Sequence, residues 1–128
     1  TDGGSRGNPG PSASGFVLYD EQDKVIYAGG EYLGITTNNQ AEYQAVRLGI
    51  KKALEYSPKE IKIFMDSLLV VNQMNGIFKI KNRDLWPIHS DIKLLMSKIP
   101  KVTFTHVPRE LNKEADAEVN KVLDSTTI

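Results

Sequence analysis

Ile61, Ile63, Phe64 and Met65 form a nearly continuous apolar run, broken only by Lys62. A run of this length and β-forming composition predicts a strand buried on both faces of a sheet, as in parallel α/β architectures. It stops at Asp66-Ser67, and residues 68–74 then read as a short helix closed by Gly76. Upstream, residues 15–19 and 24–33 predict two strands joined by the polar turn Asp20-Glu21-Gln22-Asp23, a hairpin. Gly29-Gly30 inside the second run suggests a bulge or bend. Thr37 followed by Gln40 fits a capping box opening a helix that runs to about residue 56. Ala45, Val46, Gly49 and Ala53 mark its inward stripe, and Glu42 falls on that stripe.

Residues 77–81 lose the periodicity and read as extended or irregular. Asp84 is placed to cap a helix in which Ile88, Ile92, Leu95 and Ile99 recur at helical spacing before Pro100 ends it. Residues 101–107 alternate, with Val102, Phe104 and His106 on one face of a strand. A last helix over residues 112–123 turns Ala115, Val119 and Val122 inward, with Asp116 beside them.

The 128 residues suit one domain, 1–128, around a single core. Without cysteine, disulfides and thiolate metal sites are excluded. That suits a reducing compartment, and the expectation is a cytoplasmic monomer. Sixteen Lys and Arg balance sixteen Asp and Glu, so any polyanion must be held by a local patch rather than by bulk charge. Lys79, Lys81 and Arg83 form one such patch, of a kind more often simply solvated. No apolar run approaches the roughly 20 residues of a membrane span. The chain opens on Thr1-Asp2, and if Asp2 ends a strand, most of that first strand lies upstream and is truncated here.

The acids carry the chemistry. Asp66 ends a buried strand, at the rim where open α/β sheets place their ligands, although an Asp there also serves as a helix cap. Glu42 on a packed face has no such ordinary explanation. With Asp2 and Asp116 these make four inward acids, which would repel one another and stay ionised together only around cations. Oxygen-only ligands select hard ions such as Mg²⁺ or Mn²⁺, and two such ions can clamp the attacking and leaving oxygens of a phosphoryl displacement. Periodicity turns the acids inward; it does not show that they converge. The segment from Gly3 to Pro11 lacks the ending of a phosphate loop, so its glycines serve tight turns or the close approach of a ligand.

Four ordered motifs resemble type 1 ribonuclease H across essentially the whole chain. They are Thr1-Asp2-Gly3-Gly4-Ser5-Arg6-Gly7-Asn8-Pro9-Gly10, Thr37-Asn38-Asn39-Gln40-Ala41-Glu42, Met65-Asp66-Ser67 and Asn112-Lys113-Glu114-Ala115-Asp116. Val107-Pro108-Arg109 and residues 66–81 resemble its short bacterial and archaeal branch. The resemblance implies a five-stranded mixed sheet, an antiparallel hairpin unit followed by parallel strands, with helices on both faces. It implies an endonuclease that hydrolyses the RNA strand of RNA–DNA hybrids with two divalent ions, leaving 5′-phosphate and 3′-hydroxyl ends. Asp2, Glu42, Asp66 and Asp116 would then be the metal ligands and catalytic carboxylates. Gly4, Ser5, Asn38, Asn39 and Gln40 would read the minor groove, where ribose 2′-hydroxyls mark RNA, and Thr37 would contact a DNA phosphate.

Three departures from the family pattern matter. The basic protrusion of some members is absent, which with zero net charge implies few phosphate contacts. The loop carrying a catalytic His in longer members is cut to Pro108-Arg109-Glu110-Leu111. Arg109 is therefore the candidate for assisting product release, and His106 is assigned to packing beside Phe104. The truncated first strand would leave Asp2 loosely held. Two other readings stay open: a module that binds hybrid or duplex RNA without cutting, and another nuclease of the same superfold.

Overall fold

Strand β2 (Gly10–Tyr19) shows best how the layers are arranged. The Ser14 hydroxyl donates to the carbonyl oxygen of Ala41 at 2.7 Å, and Phe16 lies against Gly49. Both partners belong to helix α1 (Asn38–Ala53). Ala13 packs instead with Val119 and Leu123 of helix α4 (Lys113–Thr126), and Gly15 abuts Ala115 and Val119. Successive strand residues point to opposite faces, so α1 and α4 cover opposite sides of one sheet. The computed structural model describes residues 1–126.

Strand β1 (Asp2–Ser5) pairs antiparallel with β2, which pairs antiparallel with β3 (Val25–Thr36). Strands β4 (Glu60–Met65) and β5 (Lys101–His106) form a parallel pair. The two ladders meet where the Thr1 nitrogen donates to the Phe64 carbonyl oxygen at 3.0 Å. Five strands of mixed direction with helices on both faces match the expected architecture. Helix α2 (Leu68–Met74) follows β4, and helix α3 (Trp86–Met96) follows a single 3₁₀ turn at Arg83–Leu85. The main core gathers Tyr43, Val46 and Ile50 of α1 with Ile63, Met65, Val70, Val71, Ile92 and Phe104.

Several expectations are corrected. The strand runs on past Asp2 to Ser5 instead of ending there, and Asp2 is well held. Asn112 Nδ2 donates to the Thr1 carbonyl oxygen at 2.9 Å, and Asp2 itself is only 6% exposed. Strand β4 is buried on one face only: Ile63 and Met65 are inside while Phe64 is 47% exposed. Helices α1, α2 and α3 contribute to the Ile63–Met65 side, whereas α4 lies across β1, β2 and β3. Gly29 and Gly30 pair in register with Phe16 and Gly15; the ladder slips at Ser12/Ala13 and Leu18/Tyr19 instead. Gly30 serves close packing, since a Cβ there would lie 2.8 Å from Val122 of α4. Asn82, not Asp84, caps the 3₁₀ turn before α3, its side chain accepting from the Asp84 N–H at 3.0 Å. His106, the last residue of β5, shares the Phe104 face by alternation but is exposed.

Candidate metal centre and cleft

Three backbone features bring the acids together. Strand β4 delivers Asp66 at its C-terminal end, and the cap of α2 is Ser67, whose Oγ accepts from the Val70 N–H at 3.3 Å. That removes the capping role from Asp66 and leaves its carboxylate for other work. Helix α1 opens with the predicted capping box. Gln40 N donates to Thr37 Oγ1 at 3.2 Å, and Thr37 N donates to Gln40 Oε1 at 3.0 Å. The box sets the rotation of α1, and Glu42 in its first turns points into the protein at 3% exposure. Gly3 then allows α1 to close on β1, since a Cβ there would fall 2.2 Å from the carbonyl carbon of Ala41.

As a result Asp2, Glu42 and Asp66 each offer a carboxylate oxygen, all within 4.8 Å of one another. Gly3 N donates to Glu42 Oε1 at 2.7 Å, but among the described residues buried Glu42 Oε2 has no hydrogen-bonding donor. The cost of this crowding appears in protonation. Burial above all pushes the Asp2 carboxyl from 3.8 up to about 9, helped by the charges of Glu42 and Asp66 and the close approach of the Asp116 and Glu42 carboxyls. Burial likewise pushes Glu42 from 4.5 up to about 7, against the pull of the Gly3 N–H and with the Asp66 charge adding to the rise. A buried acid with an unpartnered oxygen beside two others is a donor set suited to a hard divalent cation.

The trio lies in an open cleft of about 400 Å³. Asp116, from the first turn of α4, lines it too but stands outside the trio. Gly4, Ser5, Asn38 and Arg109 also line the cleft. Thr37, Asn39 and Gln40 do not border it; the Thr37 and Gln40 side chains are engaged with each other in the capping box, and Gln40 Oε1 also accepts from the Thr36 hydroxyl. Asn38 N is bound by the Asn8 side chain at 3.0 Å, which ties the Gly-rich turn to the start of α1. His106 does not line the cleft.

Sequence reading passed over Arg6, Ser67 and Asn120, all of which line the cleft, and the structural role of Asn112. Asn120 follows Asp116 by four residues, a spacing that puts both on one helical face. That signal was available.

A family model described as reverse transcriptase-like matches residues 1–122. Ribonuclease HI of Halobacterium salinarum is 38% identical over 123 residues, 96% of this chain. The chain belongs to the ribonuclease H family. It spans 62% of the length of that relative and 34% of a bifunctional protein of Mycobacterium tuberculosis to which it is 37% identical over 97% of its own length. The crystal structure of the Halobacterium salinarum RNase H1 superposes with a TM-score of 0.94 at 38% identity, covering 98% of this chain and 95% of that one. LC11-RNase H1, solved in complex with an RNA/DNA hybrid, gives 0.94 at 36% identity, covering 99% and 96%. The ribonuclease H fold accounts for the mixed sheet and for helices on both its faces. Among the described residues no helix is long and apolar enough to cross a membrane.

Proposed function

We propose that this chain is an endoribonuclease that hydrolyses the RNA strand of RNA–DNA hybrids, leaving 5′-phosphate and 3′-hydroxyl ends. The observation that carries the reading is the buried trio of Asp2, Glu42 and Asp66, with the orphaned Oε2 of Glu42 among them. Those three acids would hold magnesium or manganese, with Asp116 completing the donor set from α4. A pair of such ions supplies a clamp on the attacking and leaving oxygens of a phosphodiester. The chain's own contribution is to fix the carboxylates before substrate arrives: β1 and β4 are joined through Thr1 and Phe64, and Glu42 is pinned by Gly3.

Gly4, Ser5 and Asn38 line the cleft, and in this reading the backbone at Gly4 and Ser5 and the Asn38 side chain would read the minor groove, where 2′-hydroxyls identify the RNA strand. Thr37, Asn39 and Gln40 stand at the start of α1 beyond the cleft lining; Asn39 and Gln40 would extend the minor-groove contacts and Thr37 would contact a phosphate of the DNA strand. Arg109 at the cleft edge, rather than His106, is assigned to product release. The LC11-RNase H1 complex supports the choice of substrate. The Cys-free sequence supports action in the cytoplasm, and the reading takes the domain as a monomer. The deciding experiment offers end-labelled RNA–DNA hybrid, RNA duplex and DNA duplex to the purified chain, with Mg²⁺ and with EDTA. Cleavage of the hybrid's RNA strand alone, and only with metal, is expected. Binding of the hybrid without cleavage would overturn the reading.

A further inference from the structure

Asp116 is held differently from the other three acids. It approaches Asp2 but lies outside the set of oxygens that sit within 4.8 Å of one another. Its defined partner is Asn120, one helical turn further along α4, whose Nδ2 donates to Asp116 Oδ2 at 3.2 Å. Both side chains line the cleft. The terminal torsion of Asp is broad and roughly two-fold, so a half-buried carboxylate at a cleft edge has no rotational preference of its own. A donor at i+4 supplies one. It engages one oxygen and leaves the other for a cation, as outer-shell hydrogen bonds do for metal-binding carboxylates generally.

We infer that Asn120 is a positioning residue, which orients the Asp116 carboxylate toward the trio and so sets the divalent-ion concentration that the site requires. The inference rests on the metal-centre reading above. In this role Asn120 touches neither the scissile phosphate nor the cation, so its removal acts through Asp116 alone. The alternative role for such a bond is ordinary i, i+4 support of an exposed helical face. That role would be felt in stability and not in metal affinity.

The two roles separate in Asn120→Ala and Asn120→Gln made in the full chain. The first readout is calorimetric titration with Mn²⁺ in the absence of nucleic acid. Asn120→Ala should weaken Mn²⁺ binding about tenfold or more, the usual scale for an outer-shell partner. The Mg²⁺ concentration for half-maximal hybrid cleavage should rise in step, while KM for the hybrid and Tm stay at parental values. Asn120→Gln, which keeps an amide donor on the same face, should recover most of the loss. In an Asp116→Asn background, Asn120→Ala should add no further loss. Parental Mn²⁺ affinity in Asn120→Ala would overturn the inference, as would a weakening equal in size in the Asp116→Asn background. If the parent chain itself bound no Mn²⁺ and cut no hybrid, the metal-centre reading would fall, a result distinct from either of these.

Discussion

The backbone N–H of Gly3 donates to Oε1 of Glu42 at 2.7 Å, across the contact where strand β1 meets helix α1. One residue thus does two things: it satisfies half of a buried carboxylate, and by lacking a side chain it lets the helix come close enough to be satisfied. A Cβ at Gly3 would lie 2.2 Å from the Ala41 carbonyl carbon and 2.3 Å from the Glu42 nitrogen, both backbone atoms that cannot swing aside. Gly3→Ala must therefore push α1 from β1 and pull Glu42 from Asp2. Overpacking of this kind costs about 1–3 kcal/mol and sometimes more. A lowered Tm is expected, with hybrid cleavage strongly reduced even well below the melting range. A variant with parental Tm and rate would mean that α1 is free to shift.

The protonation of the trio sets how the metal-free protein responds to pH. Folding raises Asp2 from 3.8 to about 9 and Glu42 from 4.5 to about 7. Between about pH 4 and about pH 9 these two acids therefore hold protons in the folded chain that they have released in the unfolded one, and their contribution to stability falls as pH rises. The favourable contribution is complete below the unfolded values and gone once pH passes the folded ones. In EDTA, Tm measured from mildly acidic to mildly alkaline pH should decline across this window. Saturating Mg²⁺ should flatten the decline, since a bound cation favours the ionised carboxylates. A Tm that rose through the window in EDTA would contradict the geometry of the trio.

Asp66 is the acid whose charge raises both neighbours. Asp66→Asn keeps its shape and removes that charge, so the metal-free protein should gain stability and its decline with pH should become shallower. Hydrolysis should be abolished, along with most of the Tm increase that Mg²⁺ gives the parent. Melting curves with and without Mg²⁺ check this, together with a cleavage assay. Parental turnover in the variant would remove Asp66 from the metal-binding set.

How much of this was legible beforehand depended on how local the cause was. The capping box of Thr37 and Gln40, and the passage from β4 to α2 with Gly76 closing the helix, are decided within a few residues and read correctly. At Gly76 the N–H bonds back to Gln73 and that of Ile77 to Asn72, the hydrogen-bonded turn that a glycine with φ of +76° permits. The inward direction of Glu42 was likewise visible in helical spacing. What failed depended on distant elements. Phe64 is exposed because α4 lies over β1, β2 and β3 and not over β4, a fact of tertiary placement. Gly30 looked like a bulge because nothing near it in sequence announces Val122. Asn82 caps in place of Asp84 because a 3₁₀ turn, which periodicity does not register, precedes α3. The convergence of residues 2, 42 and 66 is a three-way long-range contact, and only motif resemblance pointed to it.

At the β5 end the structure reverses the packing expected of His106 and puts Arg109 at the cleft. His106 is exposed and lies off the cleft, so its truncation removes little packing. His106→Ala should change stability by no more than about 0.5 kcal/mol, as exposed substitutions do, and should leave turnover near parental. Arg109 is also exposed but borders the cleft. Arg109→Ala should slow multiple-turnover cleavage while leaving Tm and a single-turnover rate little changed, the pattern expected if product release is affected. Melting temperatures and paired single- and multiple-turnover rates for the two variants test both. Loss of turnover in His106→Ala at unchanged Tm would move the auxiliary role to His106.

Salt dependence tests how the chain grips a polyanion without net positive charge. The cations lining the cleft are Arg6 and Arg109, and Arg6 Nη2 already lies 2.5 Å from Asp124 Oδ1. Lys79, Lys81 and Arg83 are exposed, and the Arg83 guanidinium sits 5.6 Å over the Trp86 ring. Few phosphates can therefore be neutralised at once. Each phosphate contact on duplex-like nucleic acid contributes roughly 0.9 to the slope of log affinity against log salt. With a handful of contacts, that slope should lie near roughly −3 to −4. Lys79→Ala and Lys81→Ala together should make it shallower by up to about 2 if both cations reach the duplex, and leave it unchanged if they are merely solvated. The measurement is hybrid affinity across a salt series, made with Asp66→Asn so that substrate is not consumed. A parental slope near roughly −10, as for heavily cationic binders, would mean that a wider surface than this cleft takes part in binding.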